Sequence, residues 1–245
     1  MSRVITVLFL LSITLLIQKD VLGSDEQPLP EQVDLRPLFA KWEMPPRSQG
    51  ARNTCSVFVT VGAFEFALSK RDDRAMPLSV EYSNWACNQV IHNATADRGQ
   101  FFRDLLQGYE KHGLCRDELM PYEAKFQNIQ PTEAATSDAE ANRQLGFKVH
   151  WIRPWSKESG LTDTQFGEIR RTLAGGWPVC AGSDHSRLLV GYFDDPKQPG
   201  GGKFITRDSG RGKYREVSYD WVRNHVYDLF WVELPDKTIE IPNTE

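Results

Sequence analysis

Cysteine is scarce in this chain, with four in 245 residues. That excludes a small domain built on disulfides. None of the four forms the short Cys pair of a structural zinc site, so no metal is expected. Basic residues are not in excess either. Lys and Arg number 29 against 33 Asp and Glu, a net charge of −4, so the positive field of a nucleic-acid binder is missing. There are no internal repeats or low-complexity tracts. The 18 Gly and 14 Pro are ordinary usage, which excludes collagen-like and disordered chains. Only one long apolar run exists, at the N-terminus, so a polytopic membrane protein is excluded. What is present is 40% hydrophobic residues, 25% charged residues, seven Trp and thirteen Phe. That is the composition of a globular protein with a well-filled interior, one large domain or two half-domains.

The N-terminal run, Val4 to Ile17, follows the single positive charge of Arg3 and spans fourteen residues. A membrane span needs roughly 20, whereas a secretory signal has a shorter apolar core. Val21-Leu22-Gly23 supplies compact residues for cleavage. Residues 1–23 are therefore predicted to be a signal peptide and Ser24 the first mature residue. The expected location is secreted or periplasmic, with no integral span after cleavage. An uncleaved anchor is the competing reading. Residues 24–32 are a polar lead-in.

Helical patterns come first. Pro37, Pro45 and Pro46 argue for loop or polyproline conformation over residues 33–50. From Cys55 to Ser69 the chain is almost wholly apolar. Its length favours a buried helix, but Val57, Val59 and Val61 favour a strand, and periodicity does not decide. Residues 78–92, 101–112 and 164–173 read as further helices, and 127–142 as a polar, Ala-rich surface segment. Strand patterns follow at 177–181, 188–192, 203–206 and 229–234. Helices first and strands second predict an α+β chain with a helical half, about 50–125, and a β-rich half, about 145–235, meeting in a cleft.

One constellation carries chemistry. A Cys at a helix start is a candidate nucleophile, because the helix dipole and a nearby imidazolium both favour the thiolate. Cys55 sits at such a start. His185 precedes one strand and Asp208 ends the next, so a hairpin can bring them together. Gln49 lies six residues before Cys55 and can aim an amide N–H at the same point. Each has a plainer reading: a buried structural thiol, a polar residue at a strand end, a turn cap and a loop residue. Cys180 reads as a small apolar strand residue, and Cys87 and Cys115 as either free thiols or a disulfide.

These residues, taken in order, resemble the papain-like cysteine peptidases. Gln49-Gly50 with Cys55 matches the oxyanion Gln-Gly and nucleophile of that family. Val33-Asp34-Leu35-Arg36 resembles its mature N-terminal segment, and Leu78-Ser79 with Glu81 the opening of its second helix. Asp97 to Gly99 resembles its Gly-rich substrate stretch, and Pro121-Tyr122 its Pro-Tyr. Asp184-His185 with Leu189 to Tyr192 resembles its His strand, and Phe204 to Ser209 the strand that ends in Asn-Ser-Trp-Gly. The resemblance runs over residues 33–234 and makes 33–245 a papain-like domain with 55–69 as its central helix. It implies a peptide or protein substrate and hydrolysis without a cofactor. Cys55 would be the nucleophile, His185 the base and then acid, Asp208 the orienting group, and Gln49 an oxyanion donor. Gly99 would meet substrate main chain.

The departures from the pattern are specific. Ser56 stands where the family has Trp, Asp208 where it has Asn, and Gly210 where a Trp shields the His–Asn contact. Asp208 adds a charge that raises the imidazole pKa, and Arg187 and Arg207 are candidates to offset it. Arg52 replaces a disulfide-forming Cys. Residues 24–32 leave no room for an inhibitory pro-helix, so control would fall to a separate protein inhibitor or to none. The competing functions are a non-catalytic homologue that binds a peptide or protein partner, and an amidase or acyltransferase on the same three residues.

Overall fold

The apolar stretch that begins at Cys55 is a helix, α2 (Cys55–Asp72), and Ser56 to Ser69 are buried without a break. This describes a computed structural model, in which residues 28–235 are defined; the signal-peptide segment lies outside them. A helix buried on all sides has no polar face, so its sequence shows no period. The valines do not prevent it. A fully buried apolar side chain contributes about 1.5–3 kcal/mol, against a helix-propensity deficit of about 0.7 kcal/mol or less.

Around α2 the helical half adds α3 (Val80–Val90), α4 (Phe102–His112) and α5 (Glu133–Arg143). Ser79 caps α3 by accepting from the Tyr82 backbone N–H at 2.8 Å. Helix α5 lies in the segment read as a polar, Ala-rich surface, to which no element was assigned. Thr132 caps it, and Ala135 and Ala139, one turn apart, are its buried residues. So small an apolar stripe leaves little signal in the sequence.

The other half is a seven-stranded antiparallel sheet: β1 (Gln32–Asp34), β2 (Lys148–Arg153), β3 (Val179–Gly182), β4 (Arg187–Asp194), β5 (Gly202–Asp208), β6 (Lys213–Ser218) and β7 (Asp228–Glu233). The order is β2-β7-β3-β4-β5-β6, and β1 pairs with β4. Strands β2 and β6 were not anticipated. Both are edge strands without an apolar run, and β6 exposes Lys213, Arg215 and Glu216. Three helices accompany the sheet: α1 (Arg36–Lys41), α6 (Asp163–Ala174) and α7 (Tyr219–His225). Helix α1 corrects the expectation of an irregular 33–50. Pro37 falls in its first turn, where the missing N–H has no helical partner to lose.

Helix α2 packs against α3 and α4 on one side and against β3, β4 and β7 on the other. It belongs to both halves. Its N-terminus, and Cys55 with it, therefore opens where they meet.

Candidate active site

Cys55 is the first residue of α2. The turn from β3 to β4 carries His185, and β5 ends on Asp208. Antiparallel pairing aligns Leu188 with Arg207, which brings the end of β5 beside the start of β4. His185 Nε2 lies 2.8 Å from Asp208 Oδ1, so Nδ1 is the ring nitrogen left to face Cys55, whose thiol and the imidazole act on each other electrostatically. The three candidates read from the sequence are thus brought together at one place.

The charges in this chain support one another. The Asp208 hydrogen bond, followed by the effect of Cys55, outweighs burial and pushes His185 up to about 9. Burial pushes the Cys55 thiol up, but His185 and the backbone of Ser186 outweigh it, and the net direction is down. Burial likewise raises the Asp208 carboxyl, yet His185, Arg187 and the Gly210 N–H bring it below the ordinary carboxylate range. A thiol lowered beside an imidazole raised is the condition for a thiolate–imidazolium pair at neutral pH.

Asp208 is held unevenly. Its Oδ1 accepts both His185 and the Gly210 backbone N–H, the latter at 2.9 Å. Its Oδ2 has no hydrogen-bond partner among the described residues. Two guanidiniums face Oδ2, Arg187 and Arg215, each 3.7 Å away. Arg187 offsets the carboxylate as anticipated. Arg207 does not: it turns toward Glu65 at 3.4 Å and the Pro45 carbonyl at 2.8 Å. Arg215 lies on unanticipated β6, so its part was not visible in the sequence. Gly210, read as a lost shield, is the covering itself. A Cβ there would stand 3.0 Å from His185 Cε1 and 3.2 Å from Asp208 Oδ1, so backbone closes over the contact. Over Arg187 lies the Trp221 ring, 4.6 Å from the guanidinium carbon to the centroid.

Gln49 is beside the nucleophile loop, but its side chain is tied to it. Nε2 donates to the Arg52 carbonyl at 2.8 Å and Oε1 accepts from Ser209 at 2.7 Å. One amide hydrogen remains to donate. Tyr122 donates to the Gln49 carbonyl at 3.0 Å. Gly99 lines the cavity with open space beside its Cα.

That cavity, about 410 Å³, is walled by Cys55 and Ser56, by the 98–102 loop, by Trp155, by the β3–β4 turn and by Tyr227 and Asp228. Asp228 is the lining residue that motif reasoning missed. Its one sequence signal is a carboxylate opening an apolar strand. The four cysteines are free thiols. Among the described residues no cluster of His, Cys, Asp and Glu is arranged to hold a metal, and no helix is long and apolar enough to cross a membrane.

No protein-family model matches the chain, and no curated protein matches it. Solved structures do. The cysteine protease xylellain from Xylella fastidiosa superposes with a TM-score of 0.65 at 18% identity, over 85% of this chain and 87% of that one. Digestive procathepsin L 3 of the Tenebrio molitor larval midgut gives 0.63 at 19% identity, over 86% and 72%. The proform of the ragweed pollen cysteine protease Amb a 11 gives 0.64 at 18%, over 87% and 69%. At such identity the likeness speaks for architecture, and with the α+β layout above it establishes that this chain has the papain-like cysteine-peptidase fold.

Proposed function

We propose that the protein is an exported thiol peptidase. The observation that carries this reading is that Cys55, at a helix N-terminus that opens into the cavity, lies beside a His185 that is hydrogen-bonded to Asp208. In the proposed reaction the Cys55 thiolate attacks a peptide carbonyl, and the oxyanion is received by the Cys55 backbone N–H and the spare amide hydrogen of Gln49. His185 protonates the departing amine and then deprotonates the water that cleaves the thioester. Asp208 holds the imidazole with Nδ1 toward sulfur. Gly99 pairs with substrate main chain.

The test is the pH–rate profile of iodoacetamide alkylation, read by peptide mass spectrometry, alongside hydrolysis of a fluorogenic peptide pool. The reading expects Cys55 to react fast below pH 7, to lose that advantage in His185→Ala, and to be required for hydrolysis. A Cys55 that alkylates only near pH ~8.5, the range of a free thiol, rejects it in favour of a peptide-binding protein. Turnover that depends on an added amine acceptor indicates an acyltransferase instead.

A further inference from the structure

Asp208 puts a charge where the family pattern has a neutral Asn, and its side chain is 1% exposed. A carboxylate buried so deeply is unfavourable unless cations compensate it. Compensation comes from three elements. His185, in the β3–β4 turn, takes Oδ1. Arg187 faces Oδ2 from β4 and Arg215 faces it from β6, each at 3.7 Å. Attraction at that distance makes no angular demand. It balances the charge without turning Oδ1 away from His185.

The two arginines differ in their surroundings. The Arg187 side chain is 16% exposed and that of Arg215 is 48% exposed. The Arg187 guanidinium also donates from Nη1 to the His185 carbonyl at 2.7 Å. The Trp221 ring of α7 covers it at 4.6 Å, and its field reaches Cys55. One side chain thus fixes the main chain of the base, balances the outer oxygen of Asp208 and faces the nucleophile. Arg215 stands on an edge strand, where water and salt reach it.

We propose that Arg187 is a positioning residue of this site, the fixed cation that lets an aspartate take the orienting place, and that Arg215 is a second cation that dissolved salt can weaken. Together they set the pH range over which Cys55 and His185 are both charged, and ionic strength moves that range. The inference rests on the peptidase reading above. Other charges surround the pair. Asp184 is exposed beside His185, and Lys213 lies opposite Asp208 in the β5–β6 register. Arg98 and Asp228 line the cavity with Cys55, and Arg207 turns away to Glu65. The variants below leave all of these in place.

Removing a cation disfavours a thiolate and favours an imidazolium, so both pKa values rise. Two midpoints report them: the pH profile of Cys55 alkylation, and NMR titration of the His185 ring, assigned by its absence in His185→Ala. Arg187→Gln should move both up by about one unit, opposite to the effect of removing the Asp208 charge. Arg187→Lys keeps the charge and should stay closer to the native midpoints than to those of the Gln variant. Raising salt from about 0.1 to about 1 M shortens the screening length from about 10 to about 3 Å. The upward displacement this causes should be larger in the native protein than in Arg215→Gln by about 0.2–0.7 unit, the strength of an exposed ion pair. Rates that fall in Arg187→Gln with both midpoints unmoved make Arg187 a structural prop and overturn the positioning role. So does an Arg187→Lys variant displaced as far as the Gln variant. Equal salt dependence with and without Arg215 overturns the part given to Arg215. If Arg187→Gln does not fold, Trp221→Leu takes its place, because it keeps the cation and opens it to water. Both midpoints should then rise, and unmoved midpoints overturn the positioning role. None of these readouts needs a cleaved peptide. A protein that hydrolyses no peptide refutes the peptidase reading, while the two arginines are still judged on the same midpoints.

Discussion

Two clusters of buried charge flank Cys55, and they are built differently. On the helical side Arg52 meets Glu81 at 2.5 and 3.0 Å and Asp97 at 2.7 and 3.1 Å, and donates once more to the Glu123 carbonyl at 2.9 Å. Its guanidinium also lies 4.5 Å from the centroid of the Tyr122 ring. On the sheet side Asp208 has one oxygen that accepts two hydrogen bonds and another that faces two guanidiniums at 3.7 Å. The first cluster is closed. Arg52, at the place of a disulfide-forming Cys in the family pattern, joins the nucleophile loop to the loop of Gly99 by ion pairs instead. The second is open to adjustment, and it surrounds the group whose proton moves. Saturated charge serves to hold loops in place; unsaturated charge remains responsive to chemistry.

Removing His185 should break the responsive cluster most severely. His185→Ala is expected to lower peptide hydrolysis by about 10⁴-fold and to move Cys55 alkylation up to the ordinary thiol range, with the circular dichroism spectrum retained. Wild-type rates in this variant would show that the imidazole is not the proton carrier.

The largest stability effect should lie in the closed cluster. Arg52→Met leaves the buried carboxylates of Glu81 and Asp97 without their cation and should cost about 3–5 kcal/mol in urea unfolding. A loss below about 1 kcal/mol would mean that water already screens these groups, as at an exposed pair.

Asp208→Asn sharpens the contrast, because it removes a charge and keeps the shape. Asn Oδ1 can still accept from His185 and Gly210. Hydrolysis at neutral pH should stay within about tenfold. The Asp208 hydrogen bond is the leading cause of the raised His185 value. The imidazolium should therefore be lost at lower pH, moving the alkaline limb of kcat/KM down by about one unit or more. An unmoved limb would assign that raised value to Cys55 alone.

The parts of the site legible in the sequence were those whose partners sit at strand and helix ends. Cys55, His185 and Asp208 could be placed because each marks the boundary of an apolar segment. The central helix became certain only through the family pattern, since a helix buried on every face has no period. Strands β2 and β6 and helix α5 escaped because edges and thin apolar stripes need few hydrophobic residues. Arg215 escaped with β6, and the expectation for Arg207 failed because alternate residues of a strand face opposite ways. Asp228 was invisible for a different reason. Its meaning depends on which cavity it lines and on the absence of a donor, and both are properties of the assembled molecule.

Asp228 is the extreme of the comparison, a carboxylate with no hydrogen-bonded partner among the described residues, and its burial should register as a stability deficit. Burial raises its pKa from 3.8 to about 6, so the native state holds the proton more tightly than the unfolded chain does. The protein should therefore lose stability as pH rises from about 4 to about 6, the range between the two values, by at most about 3 kcal/mol. Asp228→Asn removes the ionisation. It should gain about 1–3 kcal/mol over the native protein in urea unfolding at pH 8, and little at pH 4, where the native carboxyl is already neutral. A variant no more stable at pH 8 would mean that the carboxylate is already satisfied in the native protein. The charge would then be saturated and structural, like that of Arg52, and the distinction between the two sides of Cys55 would not extend to Asp228.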